Sequence, residues 1–289
     1  MSDEALKPGK TVVITGATSG IGEVAALRLA AQGARLVLVA RDAGRAAATL
    51  ARLQPAACGM HAVHLANLAV IADMKRVAEE IAAAEPRVDV LINNAGAVFM
   101  GRRRTSDGLA PSFATNHLAY HVLTLALLPR LQATPGARIV CTSSRAHRFG
   151  RMDFDRLQRD GIGGYAQSKL ANLLFVRRLA QLLGTRGVTV NALHPGFVAT
   201  RFADNCGPVW RTLMRWRKRQ FGLSPEQGAR TLIYLADSPE VAGRSGGYYV
   251  DCSLAEPSSA AQDDADATRL WLLSVQLTGL DFRPAAKTA

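Results

Sequence analysis

Tyr165 and Lys169 stand four residues apart in the stretch Tyr165-Ala166-Gln167-Ser168-Lys169, which opens a helical pattern running to about Leu183. Residues at that spacing share one face of a helix, so a phenol and an ammonium can act together there. A phenol has an ordinary pKa of about 10 and is a poor base at neutral pH, but an adjacent ammonium stabilises the phenolate and lowers that value. The pair predicts proton transfer to or from an oxygen atom. A second requirement is a donor that polarises the same oxygen, and Ser143-Ser144 follows directly on the apolar run Ala137 to Thr142. Ser144 is the candidate. Singly, a Tyr and a Lys at helical spacing are usually structural, and Ser-Ser after a strand is usually a turn; the combination carries the reading.

Those residues need a frame. Short β-branched runs alternate with longer helical patterns: Thr11 to Thr15, Arg35 to Ala40, Met60 to Leu65, Val88 to Ile92, Ala137 to Thr142 and Val188 to Leu193, with a further strand expected at Gly247 to Val250. Near-continuous apolar runs are what a parallel strand covered on both faces requires. The pattern predicts βαβ units with right-handed crossovers, hence an α/β doubly wound parallel sheet of about seven strands with helices on both faces. A terminal helix is expected over Ala260 to Leu277. With 289 residues and 48% hydrophobic content, a single domain is expected, with a C-terminal helical extension around 255–280. In such sheets ligands bind at the carboxyl edge, which is where Ser144 falls.

Directly after the first run comes Thr15-Gly16-Ala17-Thr18-Ser19-Gly20-Ile21-Gly22, followed by a helical pattern from Glu23 to Ala31. Glycines let the backbone approach a pyrophosphate, and the following helix presents free N–H groups and a positive dipole end to the negative charge. The spacing is Gly-x-x-x-Gly-x-Gly and differs from the general Gly-x-Gly-x-x-Gly fingerprint, so alone it reads equally as a turn. The second strand ends Val39-Ala40-Arg41-Asp42, with Arg45 one helical turn later. Arg at this place accommodates a 2′-phosphate where an acidic residue would hold free ribose hydroxyls, favouring NADP(H) over NAD(H). The competing reading makes Asp42 a helix N-cap and Arg41 a solvated side chain.

Taken together, TGATSGIG at Thr15 to Gly22, NNAG at Asn93 to Gly96, Asn116, Ser144, YAQSK at Tyr165 to Lys169 and His194-Pro195-Gly196 with Thr200 resemble the short-chain dehydrogenase/reductase family from about residue 10 to residue 250. The resemblance implies a Rossmann-type fold. It makes Tyr165 the general acid/base, Lys169 the group that holds the nicotinamide ribose and tunes Tyr165, Ser144 the donor that orients the carbonyl, and Asn116 a support for a proton relay. It places Gly16, Thr18, Ser19, Gly20, Ile21, Gly22, Arg41, Asn94, Ala95, Gly96, Pro195, Gly196 and Thr200 at the cofactor. Two departures stand out. The third run ends Val63-His64-Leu65 where the family commonly has Asp-Leu against the adenine, and Ser144 and Tyr165 are separated by 21 positions, more than the minimal pattern. The longer spacing, SSxAH at Ser143 to His147, SKLANLLF from Ser168 to Phe175 and GGYYVDC from Gly246 to Cys252 resemble the retinol-dehydrogenase-like branch.

These readings imply an NADP(H)-dependent oxidoreductase that moves a hydride between nicotinamide and an alcohol or carbonyl substrate, expected to be lipophilic; the alternative is a catalytically silent NADP(H)-binding sensor or scaffold. The net charge of +12 permits anionic partners without choosing among them. The basic, amphipathic segment Trp210 to Phe221 falls where the family has its substrate lid, expected around 200–222, with contact to a membrane surface as the second reading. No recognised nucleic-acid module is present, so no nucleic-acid partner is expected. Arg102-Arg103-Arg104 reads as a solvated loop. No apolar run reaches the roughly 18 to 20 residues of a spanning helix, and Met1 to Lys10 lacks a secretory pattern, so a cytoplasmic location is expected. Cys58, Cys141, Cys206 and Cys252 form no Cys-x-x-Cys pair and read as reduced thiols. His117 and His121 stand four apart as metal ligands can, but without a third ligand they read as packing or surface residues, and no metal is expected. The helical patterns Pro111 to Leu128 and Tyr165 to Leu183 resemble those that pair across family dimers, suggesting a homodimer or homotetramer.

Overall fold

Apolar runs too short for helices become parallel strands because helices cover both of their faces. The computed structural model describes residues 9–101, 103–157, 160–198 and 223–282. Strands β1 (Thr11–Thr15), β2 (Arg35–Ala40), β3 (Ala62–Leu65), β4 (Val90–Asn93), β5 (Arg138–Thr142), β6 (Thr189–His194) and β7 (Tyr248–Val250) run parallel in one sheet. The spatial order is β3-β2-β1-β4-β5-β6-β7-β8. The eighth strand, β8 (Ser253–Leu254), pairs antiparallel with β7 and was not expected. Two residues, both exposed, carry no alternation that could announce a strand.

The helices are α1 (Gly20–Ala31), α2 (Ala43–Leu50), α3 (Ile71–Ala84), α4 (Pro111–Phe113), α5 (Ala119–Gln132), α6 (Gly161–Leu183), α7 (Pro225–Asp237) and α8 (Asp264–Thr278). Successive strand residues point to opposite faces. Thus Val13, Leu91, Ile139 and Val190 join one core with residues of α3, α5 and α6, and Val12, Ile14, Leu36 and Val90 join the other with residues of α1 and α7. The chain runs outward from β1 to β3 and returns to β4 on the far side of β1, so the carboxyl ends of β1 and β4 open a crevice where the order reverses.

Several boundaries differ from the sequence reading. Helix α1 starts at Gly20, not Glu23, because packing of the glycine turn against the sheet overrides the low helix propensity of Gly20 and Gly22. A π-helical turn, Ala114–Leu118, joins α4 to α5, and α5 runs through Pro129 to Gln132. Pro129 lies on the exposed side, where water can take the carbonyl that its missing N–H leaves free. The terminal helix is preceded by a 3₁₀ turn at Ser259–Gln262 and starts at Asp264, where Asp263 accepts from the Asp266 N–H at 2.9 Å.

Much of the surface of the two long helices is covered within the chain. Helix α5 is apolar almost all round and buried accordingly, and α6 is buried from Ala166 to Val176. Helix α8 lies along α6: Phe175 stacks on Trp271 with ring centroids 6.0 Å apart, and Arg177 forms a two-pronged ion pair with Asp264 at 2.7 and 3.0 Å. His117 and His121 belong to the same seam. His117 Nε2 lies 3.0 Å from Ser274 Oγ, His121 Nε2 lies 3.1 Å from the Leu280 carbonyl, and the His121 ring is edge-on to Trp271. Both are packing residues.

Candidate active site

At the carboxyl end of β1 the chain turns back sharply, and two glycines serve different ends. Gly16 has φ +71°, a backbone conformation that side-chain-bearing residues rarely adopt. A Cβ at Gly22 would lie 2.4 Å from the Gly16 carbonyl oxygen and 2.5 Å from Asn94 Nδ2, so no side chain fits there. Thr18, Ser19, Gly20 and Ile21 face the cleft, while Gly22 packs behind the turn. Ser19 occupies the N-cap of α1 without a side-chain cap bond, which leaves the first N–H groups of a twelve-residue helix for an anion.

The turn is stitched to the end of β4. Thr15 Oγ1 accepts from the N–H groups of Asn94 and Ala95, both at 2.9 Å, and Asn94 Nδ2 donates back to the Thr15 carbonyl at 3.2 Å. Asn94, Ala95 and Gly96 therefore line the cleft beside the glycine turn. A Cβ on Gly96 would lie 3.2 Å from Lys169 Nζ, so a small residue keeps the lysine's place.

Ser144, Tyr165 and Lys169 come together on the same cleft wall. Ser144 leaves the end of β5 and N-caps a 3₁₀ turn, Arg145–Phe149, its Oγ accepting from the Ala146 N–H at 3.2 Å. The Tyr165 phenol lines the same wall, and the Ser144 hydroxyl pulls its pKa down. Lys169 Nζ donates to the Thr142 carbonyl at 2.9 Å and lies 5.8 Å from the centre of the Tyr165 ring.

The electrostatics run opposite to the expectation for the phenol. Burial pushes Tyr165 up to about 12, the hydrogen bond from Ser144 pulling the other way, and burial pushes Lys169 down to about 7. Desolvation disfavours the charged form of both groups. Asn116 flanks Gly96 next to Lys169, its Oδ1 3.3 Å from where a Gly96 Cβ would lie. It lies in the π-turn, fully buried and behind the cleft wall, where its amide accepts from the Ala97 N–H, donates to the Ala97 carbonyl, both at 2.9 Å, and donates to Ser168 Oγ at 3.0 Å. Its side chain holds the 94–97 loop against α6.

At the other end of the cleft Arg41, Asp42 and Arg45 form the rim. Asp42 caps α2, accepting from the Arg45 N–H at 2.9 Å, and the Arg45 guanidinium donates to the Thr18 carbonyl at 2.9 Å. His64 turns away to Glu80 on α3, its Nδ1 3.2 Å from Oε2, and the wall beyond β3 is built by Ala66, Asn67 and Leu68, which sequence reasoning did not single out. Pro195 and Gly196 close the opposite side. Thr200, Arg102 and the segment expected as a lid, including Trp210 to Phe221, lie outside the described residues. Among those described, Cys58, Cys141 and Cys252 are free thiols, and no three His, Cys, Asp or Glu side chains gather as metal ligands.

The cleft measures about 1510 Å³, above the roughly 300–1,000 Å³ of an ordinary small-molecule pocket. Its donor set, an open helix N-terminus in the middle, two guanidinium groups at one end and a phenol, a hydroxyl and an amine at the other, fits a nicotinamide dinucleotide with a substrate beside it.

A family profile for short chain dehydrogenases matches residues 10–208. Retinol dehydrogenase 14 of Homo sapiens is 38% identical over 302 residues, spanning 96% of this chain and 89% of that protein. Dehydrogenase/reductase SDR family member 13 of Bos taurus is 40% identical over 280 residues, spanning 94% and 74%. An uncharacterized protein from Mycobacterium Paratuberculosis has a solved structure that superposes with TM-score 0.78 at 32% identity, covering 98% of both chains. A short chain dehydrogenase from Burkholderia cenocepacia J2315, solved in complex with NADP, superposes with TM-score 0.67 at 30% identity over 84% of this chain and 96% of that one. Fold, cleft chemistry and relatives agree: the chain belongs to the retinol-dehydrogenase-like branch of the short-chain dehydrogenase/reductase family and is an NAD(P)-dependent alcohol dehydrogenase or carbonyl reductase.

Proposed function

We propose that the chain is an NADP(H)-dependent oxidoreductase interconverting a lipophilic alcohol and its carbonyl compound. The observation that carries the reading is that Ser144, Tyr165 and Lys169 line the wall of the same cleft that holds the glycine turn and Arg41. Arg41 and Arg45 suit a 2′-phosphate, and the acidic side chain beside them, Asp42, is already committed to capping α2. Gly16, Thr18, Ser19, Gly20 and Ile21 would hold the pyrophosphate, Lys169 the nicotinamide ribose, and the bound nicotinamide supplies or accepts the hydride. Tyr165 keeps its proton at neutral pH, which suits a general acid that protonates the carbonyl oxygen during reduction. Ser144 donates to the same oxygen and polarises it. Lys169, held near neutrality by burial, can lose and regain a proton beside Tyr165 as the phenol is refilled. Apolar side chains ring the entrance: of nine large apolar residues exposed among the described ones, five, Met100, Phe149, Ile162, Phe197 and Leu223, border this cleft. Such clustering marks a binding surface for an apolar ligand.

The test is fluorescence titration with NADPH and NADH, followed by loss of reduced-cofactor absorbance with decanal and all-trans-retinal. Turnover should fall by roughly 10²–10⁴ in Tyr165→Phe with NADPH affinity unchanged. Failure to bind either cofactor, or full turnover by Tyr165→Phe, would overturn the reading.

A further inference from the structure

We propose that His147 is a positioning residue for Ser144: its imidazole, protonated on Nδ1, grips the Ser144 carbonyl and so fixes the direction in which the Ser144 hydroxyl points. The proposal rests on the reading of Ser144 as the donor to the substrate oxygen.

His147 is wholly buried three residues after Ser144. Its Nδ1 lies 2.6 Å from the Ser144 carbonyl oxygen, and the backbone N–H of Ser258 donates to its Nε2 at 3.1 Å. A backbone N–H can only donate, so Nε2 must accept, and the neutral ring then carries its one proton on Nδ1. The remote segment at Ser258 thereby sets the tautomer that holds Ser144. Sideways, the ring is edge-on to Tyr248 of β7, with centroids 5.2 Å apart and planes at 75°. Burial holds the imidazole below the usual histidine range, which keeps the ring neutral.

The grip matters because Ser144 has few other constraints. Its side chain accepts from the Ala146 N–H at 3.2 Å, which occupies one lone pair and leaves the hydroxyl proton for Tyr165 or a substrate oxygen. Its carbonyl receives the His147 N–H at 3.1 Å as well as Nδ1–H, so main chain and side chain of residue 144 are held by one short turn. Displacing the donor by a fraction of an ångström weakens polarisation of the oxygen, which lowers the chemical rate more than binding.

Two substitutions separate the two ends of the imidazole. In His147→Asn the amide Nδ2 takes the place of Nδ1 and can still donate to the Ser144 carbonyl. In His147→Gln the amide reaches Ser258 and the donor to Ser144 is lost. With NADPH and whichever of decanal or all-trans-retinal the wild type reduces, kcat should fall about tenfold in the Gln variant, the size of one hydrogen bond to a reacting group, and stay within about twofold in the Asn variant. The KM for the aldehyde and the affinity for NADPH should hold in both. In a Ser144→Ala background His147→Gln should cost nothing further, since its effect passes through the lost hydroxyl. Equal losses in the Asn and Gln variants, a full-speed Gln variant, or an additional loss in the double variant would overturn the proposal. Full turnover by Ser144→Ala would overturn the reading of Ser144 and the proposal with it, whereas an inactive Ser144→Ala beside a full-speed His147→Gln would overturn the proposal alone. The tautomer can be read without turnover: ¹⁵N NMR of the free protein should show a protonated Nδ1 and a bare Nε2 on His147, and the reverse would refute the grip.

Discussion

Replacing Arg41 by Ala should weaken NADPH and leave NADH almost untouched. Arg41 follows the last residue of β2 and lies exposed at the end of the cleft, while its neighbour Asp42 spends its carboxylate on the α2 N-cap and Arg45 leans on the Thr18 carbonyl. A hydrogen bond to a charged group is worth about 1.5–3 kcal/mol, and exposure of the guanidinium argues for the low end of that range. With about 1.4 kcal/mol per tenfold, the Kd for NADPH should rise roughly ten- to thirtyfold, while NADH, which lacks the 2′-phosphate, should change by less than about twofold. The difference should shrink as salt is raised, because both charges are open to solvent. Fluorescence titration of wild type and Arg41→Ala with each cofactor, at two salt concentrations, supplies all the numbers. Parallel weakening of both cofactors would show that Arg41 acts on the shape of the turn, and a wild type that binds NADH more tightly than NADPH would refute the assignment outright.

Gly22→Ala should lower the melting temperature and impair binding of both cofactors, since its Cβ would lie 2.4 Å from the Gly16 carbonyl oxygen; overpacking of this kind costs about 1–3 kcal/mol, and unchanged NADPH affinity would count against the cradle. Truncating Trp271 to Ala should cost about 3–5 kcal/mol in a denaturant titration, because Trp271 is 5% exposed, stacks on Phe175 and donates to Asp281 at 3.1 Å. Acid should unfold the protein early. Burial lowers His117 to about 3 and His121 and His194 to about 4, so the unfolded chain binds more protons below its ordinary histidine value of about 6.5. Stability from these groups is complete above that pH and is lost as pH falls toward the folded values, by about 2 kcal/mol per histidine at roughly pH 5. A denaturant midpoint that stays flat between about pH 7 and pH 5 would refute it.

The strands were legible because each is short, apolar and covered on both faces, so β1 and β2 fall where their residue types place them. The glycine turn and the Tyr165–Lys169 pair were legible because their spacing is local. What escaped was set by contacts distant in sequence. His147 ends the SSxAH element, but what its ring does stays hidden until Ser258, 111 positions away, is seen to donate to it. Nothing in the stretch around Asn116 announces a π-turn, and nothing in the Tyr165 helix says that burial will raise the phenol's pKa.

These exceptions share a location. Helix α5 would be an unbroken extension of α4 but for the π-turn at Ala114–Leu118, and that turn brings Asn116 against Ala97 and Ser168, behind the wall that carries Lys169. A lysine 2% exposed, with an amine held near 7, is a poor choice for stability and a useful one for moving protons. Ser144 likewise sits where β5 has ended and its own hydroxyl caps the following 3₁₀ turn, so its position depends on that turn and on the histidine inside it. Departures from local preference thus fall in and behind one wall of the cleft, while the sheet that obeys those preferences holds that wall in register. A substitution in the sheet core should therefore be read in the melting temperature first, and one in the 144–147 turn in kcat first.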